Sequence, residues 1–331
     1  MRASEDVRDH RRIALLALPL MLAALGAYAF VGTGRSSTSP RTAVRTADRG
    51  ALTPTVRTTA AVTVRAAPPP PPLQVNAPQR VGAAWAITAR VHGHPAAWLA
   101  ERSGVTLMRF DQLLVHLTLH AGITDGGESG WAYGDRITPR EIHNVLAGFN
   151  GGFKLTYAHV GFLSGRHVAA PLSAGLASIV TYTDGTSDIG AWRAGVPSAH
   201  KAVYSVLQNQ RLLVDHGAAA ASVNGCILAC WGGTVGSVPS VPRSGLGITA
   251  GGQLVWAAGE RLTPGGLARA LIAAGAVRAI ELDINYDWVA GYLYVHHPSG
   301  PSAVPVVPGQ HGIAGELLAP DSRDFLAVVA N

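Results

Sequence analysis

Hydrophobic positions in this chain come in short runs separated by Gly, Asp and Asn, and their periods predict mostly strands. Leu113 to His120 alternates: Val115, Leu117 and Leu119 face one way, Leu114, His116, Thr118 and His120 the other, a strand with one wetter face. Ala177 to Tyr182, Asp184-Gly185, then Thr186 to Trp192 is a hairpin pattern, because Asp-Gly suits the positive φ angles of a tight turn. A second hairpin joins Gly247–Thr249 to Gln253–Ala257 through Gly251-Gly252. Two helices stand out. Thr138 precedes Pro139 and a run to Val145, and Thr263 precedes Pro264, with Leu267, Leu271 and Ala274 on one face until Gly275 stops it. Ala279 to Ile284 then reads as a buried strand, and Phe325 to Ala330 as a closing strand. Hairpins with few helices predict an α+β domain of mixed, largely antiparallel sheets, spanning 81–331.

The N-terminal part has another texture. After a short basic tail, 1–12, the run Ile13 to Val31 carries no charge and is long enough to cross a bilayer as a helix. It reads either as an uncleaved signal-anchor or as a signal peptide ending at Ala27-Tyr28-Ala29. Both place the domain outside the cytoplasm, tethered to the membrane in the first case and secreted in the second. Residues 32–80 are rich in Ala, Thr, Ser, Arg and Pro and end in Pro68 to Pro72, a linker with too little apolar surface to fold.

Charge follows the same division. The formal net charge is +6, but residues 1–80 hold eleven Arg against four acidic residues, while 81–331 hold fifteen Lys plus Arg against sixteen Asp plus Glu. Nucleic-acid binding needs clustered cations on the folded part, so that class is set aside. Cys226 and Cys230 are the two cysteines. In an exported chain they read as one local disulfide, with free or metal-bound thiols as the alternative; no metal site is expected elsewhere. His116 and His120 have metal-friendly spacing but lack a nearby carboxylate, and His296-His297 reads as loop. No zinc-protease, nucleophile-elbow, Walker or dinucleotide-binding pattern stands in a credible setting, and no cofactor is implied.

Three segments carry candidate chemistry. Asn150-Gly151-Gly152-Phe153-Lys154 follows the apolar stretch Val145 to Phe149; paired glycines there let N–H groups point at an anion. Arg243 opens a hairpin strand, Arg243 to Thr249. Glu281-Leu282-Asp283-Ile284-Asn285 ends the strand after the Thr263 helix, with Glu281 and Asp283 on one face, about 6 to 7 Å apart along the backbone.

In order and spacing these segments resemble the phosphodiester glycosidase family, along with Tyr204 to Asn209, Leu212 to Asp215 and the closing Arg323-Asp324-Phe325. The resemblance runs from about Val105 to the C-terminus. Three departures stand out: Ile284-Asn285-Tyr286-Asp287-Trp288 replaces the family's small Gly and Ser residues after the Asp, Glu281 adds a carboxylate two before it, and Lys154 replaces a second aromatic. The resemblance implies an extracytoplasmic hydrolase that cleaves a sugar-1-phosphodiester in a glycan. Asp283, Glu281 and Arg243 would be catalytic, and Asn150, Gly151, Gly152, Lys154 and Asn285 would bind substrate. Glu281 reads alternatively as the partner of Arg278 or Arg243, without chemistry. A non-catalytic glycan-binding or envelope protein with the same fold is the other reading, since Tyr286 and Trp288 suit sugar stacking.

Overall fold

A computed structural model describes residues 73–78, 81–126 and 130–331. The basic tail 1–12, the apolar run 13–31 and nearly all of the linker lie outside the described residues. Among the described residues, no helix is long and apolar enough to cross a membrane.

Strands dominate, and every pair of named strands is antiparallel. A nine-stranded sheet runs from edge to edge as Gln74–Val75, Ala86–Val91, His94–Arg102, Val105–Phe110, Leu254–Leu262, Val241–Thr249, Ala276–Glu281, Leu212–Asp215 and Ala218–Ala219. A five-stranded sheet has the order Ser187–Ala191, Ala177–Tyr182, Val203–Gln208, Phe162–Ser164, His167–Ala170. Another has the order Gly300–Pro305, Gly291–His297, Val145–Asn150, Phe325–Ala330, Val115–His120. One apolar core joins residues of all three sheets, among them Phe110, Phe149, Phe162, Ile179 and Trp256. At its centre the Phe149 ring stacks against Phe110 at 6.4 Å and Trp256 at 5.4 Å between centroids.

Both hairpins form where the turn chemistry places them, and the closing strand is Phe325–Ala330. The helix Pro264–Ala273 begins as expected, with Thr263 Oγ1 accepting the Gly266 N–H at 3.0 Å, and it buries Leu267 and Leu271. Three details differ. Residues 139–144 form turns and not a helix, because the backbone passes directly into the strand Val145–Asn150. The cap nevertheless exists: Thr138 donates its N–H and hydroxyl to Glu141 Oε2 at 2.8 and 2.6 Å. The wetter face of Val115–His120 is partly sealed, with Thr118 and His120 buried and both hydrogen-bonded to Glu141 Oε1. The folded part also reaches back past residue 81, since Gln74–Val75 pairs with Arg90 and Ala89.

Candidate functional site

The strand Ala276–Glu281 lies between Val241–Thr249 and Leu212–Asp215, and its end carries the chain to Asp283. Two buried residues fix that exit. Asn209 donates to the Glu281 and Leu282 carbonyls, both at 2.7 Å, and the Ser244 N–H donates to the Asp283 carbonyl at 3.0 Å. Ser244 Oγ in turn accepts from Asn150 Nδ2 at 2.8 Å, so Asn150 ties the strand Val145–Asn150 to that of Arg243. Its amide is used inside the fold, where Nδ2 also donates to the Gly151 carbonyl.

Arg243 and Glu281 sit together below this exit. Arg243 is fully buried, with Nη1 donating to Glu281 Oε1 at 2.6 Å and Nε and Nη1 donating to the Leu262 and Trp231 carbonyls. Burial raises the Glu281 carboxyl to about 7, against the opposing pull of Arg243. Neither side chain lines the nearby cleft. Arg278, the other partner expected for Glu281, pairs with Asp188 at 2.7 Å.

Asp283 does line a cleft, of about 710 Å³, together with Lys154, Asn285, Tyr286 and Arg323. Its Oδ1 accepts the Ile284 and Asn285 N–H groups at 2.6 and 2.9 Å, which locks the carboxylate at a turn. Its Oδ2 lies 3.5 Å from Arg323 Nη1. Burial raises Asp283 to about 6; Arg323 and the two backbone donors pull it down, and Asp125 pushes it up. Thus a carboxylate near its midpoint at mildly acid pH forms part of the cleft lining.

Arg323 is the hub of this cluster. Nε donates to Asp125 Oδ2, Nη2 donates to the Gly152 carbonyl at 2.7 Å, and Nη2 lies 3.5 Å from Asp324 Oδ1. Burial works against its charge, yet Asp324, Asp283 and Asp125 together raise its pKa. The paired glycines do face an anion, but it is the protein's own. Gly151 N donates to the Asp324 carbonyl at 3.0 Å and Gly152 N to Asp324 Oδ2 at 2.8 Å. A Cβ at Gly151 would lie 2.0 Å from that carboxylate, so no larger residue fits there. Burial raises Asp324 to about 7. Three carboxylates around one guanidinium carry excess negative charge when all are ionised, which favours keeping a proton in the cluster near neutrality.

Sequence reasoning placed Asp283, Lys154 and Asn285 at the site, and all three line the cleft. It did not single out Arg323, Asp324 or Asp125 for chemistry. The first two were visible only as part of the closing Arg323-Asp324-Phe325, and Asp125 in Ile123-Thr124-Asp125-Gly126 has the look of a turn former. The cysteines form a disulfide, S–S 2.11 Å. It staples the one-turn helices Ser222–Gly225 and Ile227–Trp231, immediately before Gly232 to Val235, which line the cleft.

No family model matches this chain, and no curated protein does. Among solved structures it is similar to the catalytic domain of zebrafish N-acetylglucosamine-1-phosphodiester alpha-N-acetylglucosaminidase, auto-inhibited by its pro-peptide. That match has a TM-score of 0.43 and 12% identity, and covers 78% of this chain and 87% of that one. A hypothetical protein from Synechocystis gives a TM-score of 0.43 and 12% identity over 72% of this chain and 63% of that one.

Proposed function

We propose that the cleft is the active site of a glycosidase that hydrolyses a sugar-1-phosphodiester, acting outside the cytoplasm. The observation that carries this reading is Asp283: a carboxylate lining the cleft, fixed by two backbone donors, raised to about 6 and set beside Arg323. A base with a pKa near the working pH combines a large ionised fraction with real proton affinity. In the proposed reaction water adds to the sugar C1 and gives its proton to Asp283. The C1–O bond to phosphate breaks, and the phosphate monoester leaves as an anion. A phosphate leaves readily without a strong acid, so one carboxylate suffices. Lys154, also in the cleft lining, holds the anion as a point charge. Arg243 and Glu281 brace the strand and do not touch substrate.

The test is hydrolysis of a panel of sugar-1-phosphodiesters by the wild type, Asp283→Asn and Lys154→Ala. The wild type should turn over at least one ester. Asp283→Asn should lose about a thousandfold or more in kcat with the fold intact, and Lys154→Ala should mainly raise KM. The kcat/KM profile should fall as pH drops through about 6, since a base must be ionised to act. The kcat limb should lie higher, because the bound anion raises Asp283 further. Exposed Tyr157 and Tyr286 rings at the cleft favour a second reading, a glycan-binding protein. Saturable glycan binding without turnover, unchanged in Asp283→Asn, would establish it in place of the first.

A further inference from the structure

The chemistry of the cleft lining changes from one chain segment to another. Residues 283–287 contribute Asp283, Asn285 and Asp287 beside Ile284 and Tyr286, the ring of the last meeting His311 edge-on at 3.8 Å. Residues 153–158 and 232–235 contribute Phe153, Tyr157, Ala158 and Val235. All three segments meet at Gly232, where a Cβ would lie 2.6 Å from Ile284 Cδ1 and 3.1 Å from the Phe153 ring. Tyr157 is 80% exposed and Val235 99% exposed. Large apolar side chains held in water around the mouth of one cleft mark a contact surface. The polar side chain next to Val235 in sequence is already engaged, as Thr234 Oγ1 donates to the Val238 carbonyl at 2.6 Å.

Lys154 links the two chemistries. It lines the same cleft as Asp283, and its Nζ lies 5.9 Å from the centroid of the Tyr157 ring. A sugar-1-phosphodiester has two ends. If its C1 stands at Asp283 and its phosphate at Lys154, the esterified alcohol continues past Lys154 onto Tyr157. We propose that Tyr157 and Val235 form an aglycone subsite, and that the alcohol is an apolar chain of alkyl or isoprenyl type, with the sugar over residues 283–287. This assignment rests on the glycosidase reading for the placement of C1 and phosphate. A polar aglycone would leave Val235 facing groups it cannot satisfy, whereas an apolar chain removes both Val235 and the face of the Tyr157 ring from water.

The test uses the full chain and the methyl, butyl and hexyl esters of one sugar-1-phosphate, all below micelle-forming concentrations. In the wild type kcat/KM should rise about twofold per added methylene, less than the gain for full burial because the rim is open. The double variant Tyr157→Ser with Val235→Ser should flatten that slope. Turnover with no dependence on chain length overturns the subsite and leaves the glycosidase reading standing. If neither these esters nor any of the panel is hydrolysed, the glycosidase reading fails, and the affinities of the same three esters, measured by calorimetry, decide the subsite. Affinity that rises with chain length and loses that slope in the double variant upholds it; flat affinity, or no binding, overturns it.

Discussion

An arginine buried beside one carboxylate forms a neutral pair, while an arginine buried among three cannot neutralise them all. Arg243 is the first kind, closed against Glu281 and two carbonyls. Arg323 is the second, and the surplus charge around it favours retention of a proton near the cleft. The difference sets what each residue does on mutation. Arg243→Ala leaves the Glu281 carboxylate buried without its partner and should cost about 3–5 kcal/mol, read as a fall in the urea midpoint. Replacing the pair together, Arg243→Met with Glu281→Leu, should recover most of that loss, because both desolvation costs go with it. Asp283 and Glu281 were both legible as carboxylates at a strand end, and the pairing of Glu281 with an arginine was one of two open readings. What could not be read was which of the two meets solvent, since that depends on how far the strand runs before it turns. Asp125 was invisible for another reason: its partner lies 198 residues away, and no local pattern marks it.

Among elements, those whose ends are set by local chemistry were legible. Thr263-Pro264 and Asp184-Gly185 carry their geometry in two adjacent residues, and the helix and hairpin stand where those residues put them. Residues 139–144 have the same kind of start signal, but tertiary pairing claims Val145 for a strand, and tertiary pairing outweighs a capped turn. The one-turn helices around the disulfide had no legible period at all, being shorter than any helical repeat can report. Their stability is expected to depend on the cross-link. Closing so short a loop restricts the unfolded chain only modestly, so Cys226→Ser with Cys230→Ser should cost about 2 kcal/mol in global stability. The local effect should be larger, as faster proteolysis of residues 232–238 in the reduced or substituted protein, measured by limited digestion.

For the whole molecule, the buried carboxylates pull the pH dependence of stability in two directions. Glu141 is opposed by burial, but its hydrogen bonds with His120 and the threonines hold it at about 2, against 4.5 unfolded. Its contribution is therefore present above about pH 4.5 and lost as pH falls towards 2. Asp283, Asp324 and Glu281 have the opposite sign. Raised from 3.8 or 4.5 to about 6 or 7, they contribute stability below their unfolded values that is lost as pH rises to about 7. Thermal melting should therefore peak below about pH 4.5 and decline towards neutrality, and Asp324→Asn should remove part of the decline. At this scale the antiparallel, helix-poor architecture was legible from hairpin spacing. The joining of three sheets through one core was not, because it is a property of long-range packing.

The strand Phe325–Ala330 sits inside its sheet, between Val115–His120 and Val145–Asn150. Until it is laid in, those two strands have an unfilled slot between them, and neither Arg323 nor Asp324 has reached the glycines and carboxylates it joins. As the chain is synthesised, residues 1–322 can be complete while the cleft still has no hub. The assembly step that closes the sheet is then the same step that brings the cleft's charged cluster together.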